Sequence, residues 1–194
     1  IASAFRGFVK RSSSREDAVW PVTRWFRTNT FYLKPLVGGK IDCIGTELTQ
    51  YLPEVENGVA FFLGPYSFAR LVENSVYSDE SALAVDYCKA LAKNMPGLKQ
   101  KGYSCVLLLE PAVGYYLSKN SFQKPEWYSS AVDEFKGVTY GVHFPLADAS
   151  KAIGCVEESR ASFVGVDCIY TPNPREVKTK KSLLLGIVDG ARAS

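Results

Sequence analysis

Gly102-Tyr-Ser-Cys-Val-Leu-Leu-Leu-Glu-Pro-Ala112 is a strand written between two breakers. Gly102 closes a helical stretch, Ser104–Leu109 runs apolar almost throughout, and Glu110-Pro111 stops the run. A short, continuously apolar strand suits a parallel sheet covered on both faces better than a half-exposed hairpin. Val59–Leu63, Val138–Val142, Phe163–Ile169 and Leu183–Val188 have the same character. Helical stretches lie between them. The clearest begins at Ser78/Asp79, with Asp79 and Glu80 at the positive end of the helix dipole, and stops near Asn94, before Pro96 and Gly97. Leu98–Lys101, Trp127–Phe135, Asp148–Glu158 and Arg175–Lys181 are the further predicted helices.

Regular β-α alternation indicates a doubly wound sheet or a (β/α)8 barrel. No GxGxxG opens a helix after the first strand and no Walker A loop is present. The expectation is therefore an α/β fold of the (β/α)8 TIM type. Such a barrel takes about 250 residues, and this chain has 194. Five clear strands, with one more around Val22–Phe26 or Ile41–Ile44, leave it about two β-α units short. The polar stretch Ser12–Asp17 lacks a strand signal, so residues 1–18 are expected to be loop and 19–194 a single barrel domain. The chain opens on Ile1 and contains one methionine, Met95, which suggests a trimmed or internally started piece lacking its first two units.

A formal charge of +3 is too small for a nucleic-acid footprint. It is uneven, however: the first 40 residues hold eight Lys/Arg against Glu16 and Asp17. Five cysteines without a CxxC pair indicate reduced thiols in a cytoplasmic protein. No apolar run approaches the roughly 20 residues of a membrane span, and the first residues are not a signal peptide. In a barrel, function sits on loops after the strand C-termini, here Gly64–Ser67, Glu110–Ala112, His143–Pro145, Tyr170–Pro172 and Asp189–Arg192.

Val22-Thr-Arg-Trp-Phe-Arg-Thr-Asn-Thr-Phe-Tyr-Leu-Lys-Pro35 resembles the TKWFDTNYHYLVPE signature of the N-terminal barrel of cobalamin-independent methionine synthase. Four collinear stretches extend the likeness. Phe62-Leu-Gly-Pro-Tyr-Ser67 is similar to the family's LVGPVT, and Gly102 through Ala112 to AGAEWVQIDEPAL. Val164-Gly-Val-Asp167 resembles DGLGLDLV, and Leu185-Gly-Ile-Val-Asp-Gly190 resembles LSLGVVDGRN. The family's GSFPR-like first strand end and its GE or GD second strand end have no counterpart here.

The resemblance implies methyl transfer from 5-methyltetrahydrofolate polyglutamate to homocysteine in methionine biosynthesis. It also implies two related barrels, of which only the C-terminal one holds the catalytic zinc. That barrel has a His-x-Cys pair where this chain has His143-Phe144-Pro145, and a zinc-binding cysteine near Gly186–Asp189. One histidine without a nearby thiolate does not make a catalytic zinc site. No cofactor is therefore expected on this chain, and zinc is expected only on a partner barrel.

The resemblance puts Arg24 at the lysine that contacts the folate polyglutamate tail, although Lys and Arg are not equivalent. The alternative for Arg24 is a solvated basic face. Arg27 departs from the family's acidic or amide residue. Trp25, which packing also explains, and Asn29 join Arg24 as substrate-binding candidates. Glu110, at a barrel mouth, either binds an amine or a cationic partner, or has a raised pKa suited to proton transfer, or caps a helix or loop. Asp189 is a further binding candidate that can also pair locally with Arg192. His143 is the only histidine and is more simply a hydrogen-bonded loop residue than a catalyst. No residue is assigned a catalytic role. The chain is expected to bind the folate tail and scaffold the zinc barrel. The alternatives are a degenerate barrel acting as a non-catalytic interaction protein, or a corrinoid-linked methyltransferase.

Overall fold

In the computed structural model the described residues are 5–9, 22–25, 31–43 and 46–187. The N-terminal part supplies strands β1 (Phe5–Val9), β2 (Val22–Arg24), β3 (Phe31–Leu33) and β4 (Leu36–Cys43). Then come β5 (Gly58–Leu63), helix α1 (Pro65–Leu71), the short β6 (Glu73–Asn74), and helices α2 (Glu80–Ala92) and α3 (Met95–Gln100). The chain continues through β7 (Tyr103–Leu109), α4 (Pro111–Leu117), α5 (Tyr128–Val132) and β8 (Thr139–His143). It ends with α6 (Ala149–Ala152), β9 (Phe163–Asp167) and β10 (Ser182–Gly186).

The five predicted apolar strands form one sheet in the order β5-β7-β8-β9-β10, every neighbouring pair parallel. Each strand pairs with the one before it in this series, so the order never reverses as it does in a doubly wound sheet. Among the described residues the sheet does not close into a barrel. The two earlier barrel-strand candidates lie elsewhere. Val22–Arg24 forms an antiparallel hairpin with Phe31–Leu33, and β4 lies between antiparallel β1 and parallel β6 in a separate three-stranded sheet. Hairpin pairing is local and takes the short Val22–Arg24, whereas β4 pairs with β1 and β6, both distant in the chain. β1 also places a strand inside residues 1–18, where a loop was expected.

Over β5, β7, β8 and β9 one sheet face is buried, while Leu183 and Leu185 of β10 on the same face are exposed. Ala60 and Phe62, Val106 and Leu108, Tyr140 and Val142, and Val164 and Val166 are all buried, and the register aligns them in rows. Against them lie Leu83, Tyr87 and Leu91 of α2, one turn apart each, with Phe68 of α1 stacked on Tyr87 at 3.7 Å between ring centroids. Asp79 starts α2 as expected, accepting the Ala82 N–H at 2.8 Å.

The predicted loops at Gly64–Ser67 and Glu110–Ala112 are instead the first turns of α1 and α4. In each, proline occupies the start of the helix, where its missing N–H costs nothing. Three predicted helices are shorter than expected. Trp127–Phe135 contracts to α5, and Asp148–Glu158 to α6 followed by a 3-10 turn, Ile153–Cys155, around Gly154. Arg175–Lys181 is only a 3-10 turn, Pro174–Glu176, because Val177 is the one residue it buries and no apolar stripe supports a longer helix. No described helix is long and apolar enough to cross a membrane.

Candidate functional site

The C-terminal ends of the parallel strands form a continuous rim. Gly64 N–H donates to Leu109 O at 2.7 Å, Glu110 N–H to His143 O at 2.9 Å, and Cys168 N–H to Gly186 O at 3.0 Å. Glu110 follows the last residue of β7 and turns to the helix side of the sheet. Its carboxyl is completely buried and sits at the start of the neighbouring helix: Oε1 accepts the Tyr66 N–H at 3.1 Å and Oε2 the Ser67 N–H at 2.7 Å. Gly64 makes room for it, since a Cβ there would lie 2.3 Å from the carboxyl carbon. Ser67 Oγ in turn accepts the Ala112 N–H at 3.0 Å, so the starts of α1 and α4 are tied to each other.

Burial pushes the Glu110 carboxyl up to about 7, against the opposing pull of the Ser67 and Tyr66 hydrogen bonds. The Tyr128 hydroxyl is near enough to favour the ionised form, yet its geometry falls short of a hydrogen bond and leaves it buried without a partner. Cys88 and Cys155 lie buried in the same region with thiols pushed up by desolvation, the opposite of what a metal-binding or nucleophilic thiolate requires. Among the described residues no group of three or more His, Cys, Asp or Glu is placed to hold a metal ion.

His143 ends β8 on the opposite face from Glu110, in register with Leu109 and Gly165. Its ring lies across Gly165, and its Nδ1 is buried without a partner. Asp167, at the end of β9, fastens the loops beyond both strands. It accepts the Leu146 N–H at 3.0 Å and the Ile169 N–H at 3.0 Å, holding Leu146 in left-handed backbone at φ 59°. In the sequence Asp167 stood inside a predicted strand, Phe163–Ile169, and in the family-like motif Val164–Asp167; its hydrogen-bonding role at the strand end needed the loop geometry.

Arg24 and Trp25 are carried by the β2–β3 hairpin. Arg24 is exposed, its guanidinium 5.3 Å from the Phe31 ring centre, and Trp25 meets Tyr32 edge-to-face at 5.7 Å. The Tyr32 hydroxyl donates to Leu71 O at 3.0 Å, anchoring the hairpin to the C-terminal end of α1. Glu110 holds the other end of the same seven-residue helix, about 10 Å away. The hairpin candidates and Glu110 are thus connected through α1 without touching. Asn29, Arg27, Asp189 and Arg192 lie outside the described residues. A separate groove of about 630 Å³ between β4 and α2 is lined by Lys40, Asp42, Asp86, Lys89 and Lys93, and its charges partly satisfy one another through Lys93–Asp42 at 2.5 Å.

The described cobalamin-independent synthase N-terminal domain matches this chain over residues 6–193. The chain belongs to that family. Two solved structures share the fold. A B12-independent methionine synthase from Shewanella sp. W3-18-1, in complex with selenomethionine, superposes with a TM-score of 0.64 at 14% identity. That match covers 95% of this chain and 59% of the other. A putative vitamin-B12 independent methionine synthase from Listeria monocytogenes gives 0.58 at 13% identity, covering 78% of this chain and 55% of that one. The chain therefore spans less than two thirds of the length of either structure. No curated protein matches it in sequence.

Proposed function

We propose that this member of the family is an N-terminal-type domain or subunit that assists methyl transfer from 5-methyltetrahydrofolate polyglutamate to homocysteine. It binds the anionic folate tail and scaffolds a zinc-bearing barrel that performs the chemistry. The observation that carries the reading is the anchored hairpin, which presents Arg24 to solvent beside Trp25 on the motif that resembles the family signature. A guanidinium binds carboxylates through paired charge-assisted hydrogen bonds, the interaction a polyglutamate tail offers repeatedly. Asn29 and Asp189 complete the binding set. Glu110 serves it by fixing α1, since its carboxyl is too deeply buried to meet a tail. The parallel sheet is the wall of a (β/α)8 barrel in this reading, and the zinc remains on the partner.

Calorimetric titration with folate triglutamate tests the tail site. Arg24→Ala should weaken binding roughly 10-fold or more, and equal binding by the variant and the parent would remove Arg24 from the site. Methyl transfer measured with and without the zinc barrel tests the scaffold role; full turnover by this chain alone would overturn it. A second reading, a non-catalytic interaction protein, draws support from the exposed sheet face around Phe61. It predicts no folate binding at all.

A further inference from the structure

We propose that Glu110 is a proton-operated coupling in which gain or loss of its proton changes how firmly the start of α1 is held, and α1 passes that change to the β2–β3 hairpin through Tyr32. The coupling is a property of the fold and stands independently of any folate site.

The two ends of the device are hydrogen bonds already described. At one end, a fully buried carboxyl gives each of its oxygens to a different α1 amide, Tyr66 and Ser67. At the other, the last carbonyl of the same helix receives the Tyr32 hydroxyl. Nothing but one short, regular helix separates them. An ionised carboxylate accepts at both oxygens and places its charge against the positive end of α1. A protonated carboxyl must spend one oxygen as a donor, so it cannot hold both amides equally well. Gain of the proton therefore weakens one of two fastenings at a fully buried site.

The groups facing Glu110 leave it as the residue whose charge changes in this region. Tyr66 comes from α1, Tyr87 and Cys88 from α2, Tyr128 from α5, and Cys155 from the turn after α6. Burial pushes every one of these phenols and thiols up, so they stay neutral around pH 7. Charged residues act from farther out, with Glu134 on Cys88 and Lys124 on Cys155. His143 touches Glu110 through its backbone carbonyl, while its ring is on the other sheet face. Both forms of Glu110 are populated near neutrality, which makes the coupling observable there.

The test follows amide and indole NMR signals of the whole nitrogen-labelled chain between about pH 5.5 and 8.5. In the parent chain the Tyr66 and Ser67 amides and the Trp25 indole should move together with one midpoint near 7. Glu110→Gln should abolish all three titrations. Tyr32→Phe should leave the two amides titrating and silence Trp25, and this arm decides the matter if Glu110→Gln does not fold. A Trp25 indole that stays still in the parent chain, or that titrates unchanged in either variant, overturns the coupling.

Discussion

Glu110 shows how one residue can satisfy two readings of a sequence and still require coordinates to choose between them. A carboxylate ending an apolar strand suits either a ligand or a helix cap, and only the position of α1 reveals that it caps the helix after the adjacent strand. The same limit applies to His143: its strand-end position was legible, but the close fit over Gly165 was not, because it depends on pairing between strands 20 residues apart. Burial of Glu110 has a direct thermodynamic consequence. In the unfolded chain the carboxyl ionises at its ordinary value of 4.5, whereas the folded protein retains the proton until about 7. Between those values the folded state binds more protons, so this group's contribution to stability falls as pH rises and then levels off above 7. The loss is on the order of 3 kcal/mol. Urea unfolding at pH 5 and pH 8 should show it, and Glu110→Gln should flatten the difference; an equal pH dependence in the variant would assign the effect to other groups.

Elements were legible where composition and punctuation agreed. All five core strands begin and end within about two residues of their apolar runs, as boundary fraying allows, and α2 starts at the residue its cap announced. The misjudged elements have physical causes in common. Pro65 and Pro111 look like turn residues after a strand, but a proline in the first position of a helix fits the required backbone and sacrifices no internal hydrogen bond. The helix expected at Arg175–Lys181 lacks an apolar face to dock. The cap of α2 offers a test at this scale. Asp79→Ala removes the acceptor for the Ala82 N–H and should cost about 1 kcal/mol, read as a lower unfolding midpoint with an unchanged denaturant slope. Asp79→Ser should recover most of the loss, since a hydroxyl accepts the same bond; failure of that rescue would point to charge rather than capping.

At the scale of the molecule, the two faces of the main sheet differ sharply at its β5 edge. Phe62 faces the helices and is 8% exposed, while Phe61 beside it faces the other way and is 62% exposed. Leu184 and Val59 are exposed on that second face too. Phe62→Ala should therefore cost about 3–5 kcal/mol in chemical unfolding, whereas Phe61→Ala should stay within roughly 0.5 kcal/mol. A large cost at Phe61 would mean that this face is covered in solution. Family membership was readable from short collinear motifs and a shortage of about two β-α units from the strand count, but which strands form the edges of the described sheet, β5 and β10, needed the pairing itself. The unreversed strand order also shapes how such a chain acquires its structure during synthesis. Each parallel strand after β5 follows its pairing partner in the chain, so the topology allows the sheet to lengthen at one edge, one β-α unit at a time. Closing loops span one unit at a time, which keeps the entropic cost of every step small for a parallel sheet. Among the described residues the last of the five strands in chain order, β10, lies at one edge of the sheet and is exposed along its whole length.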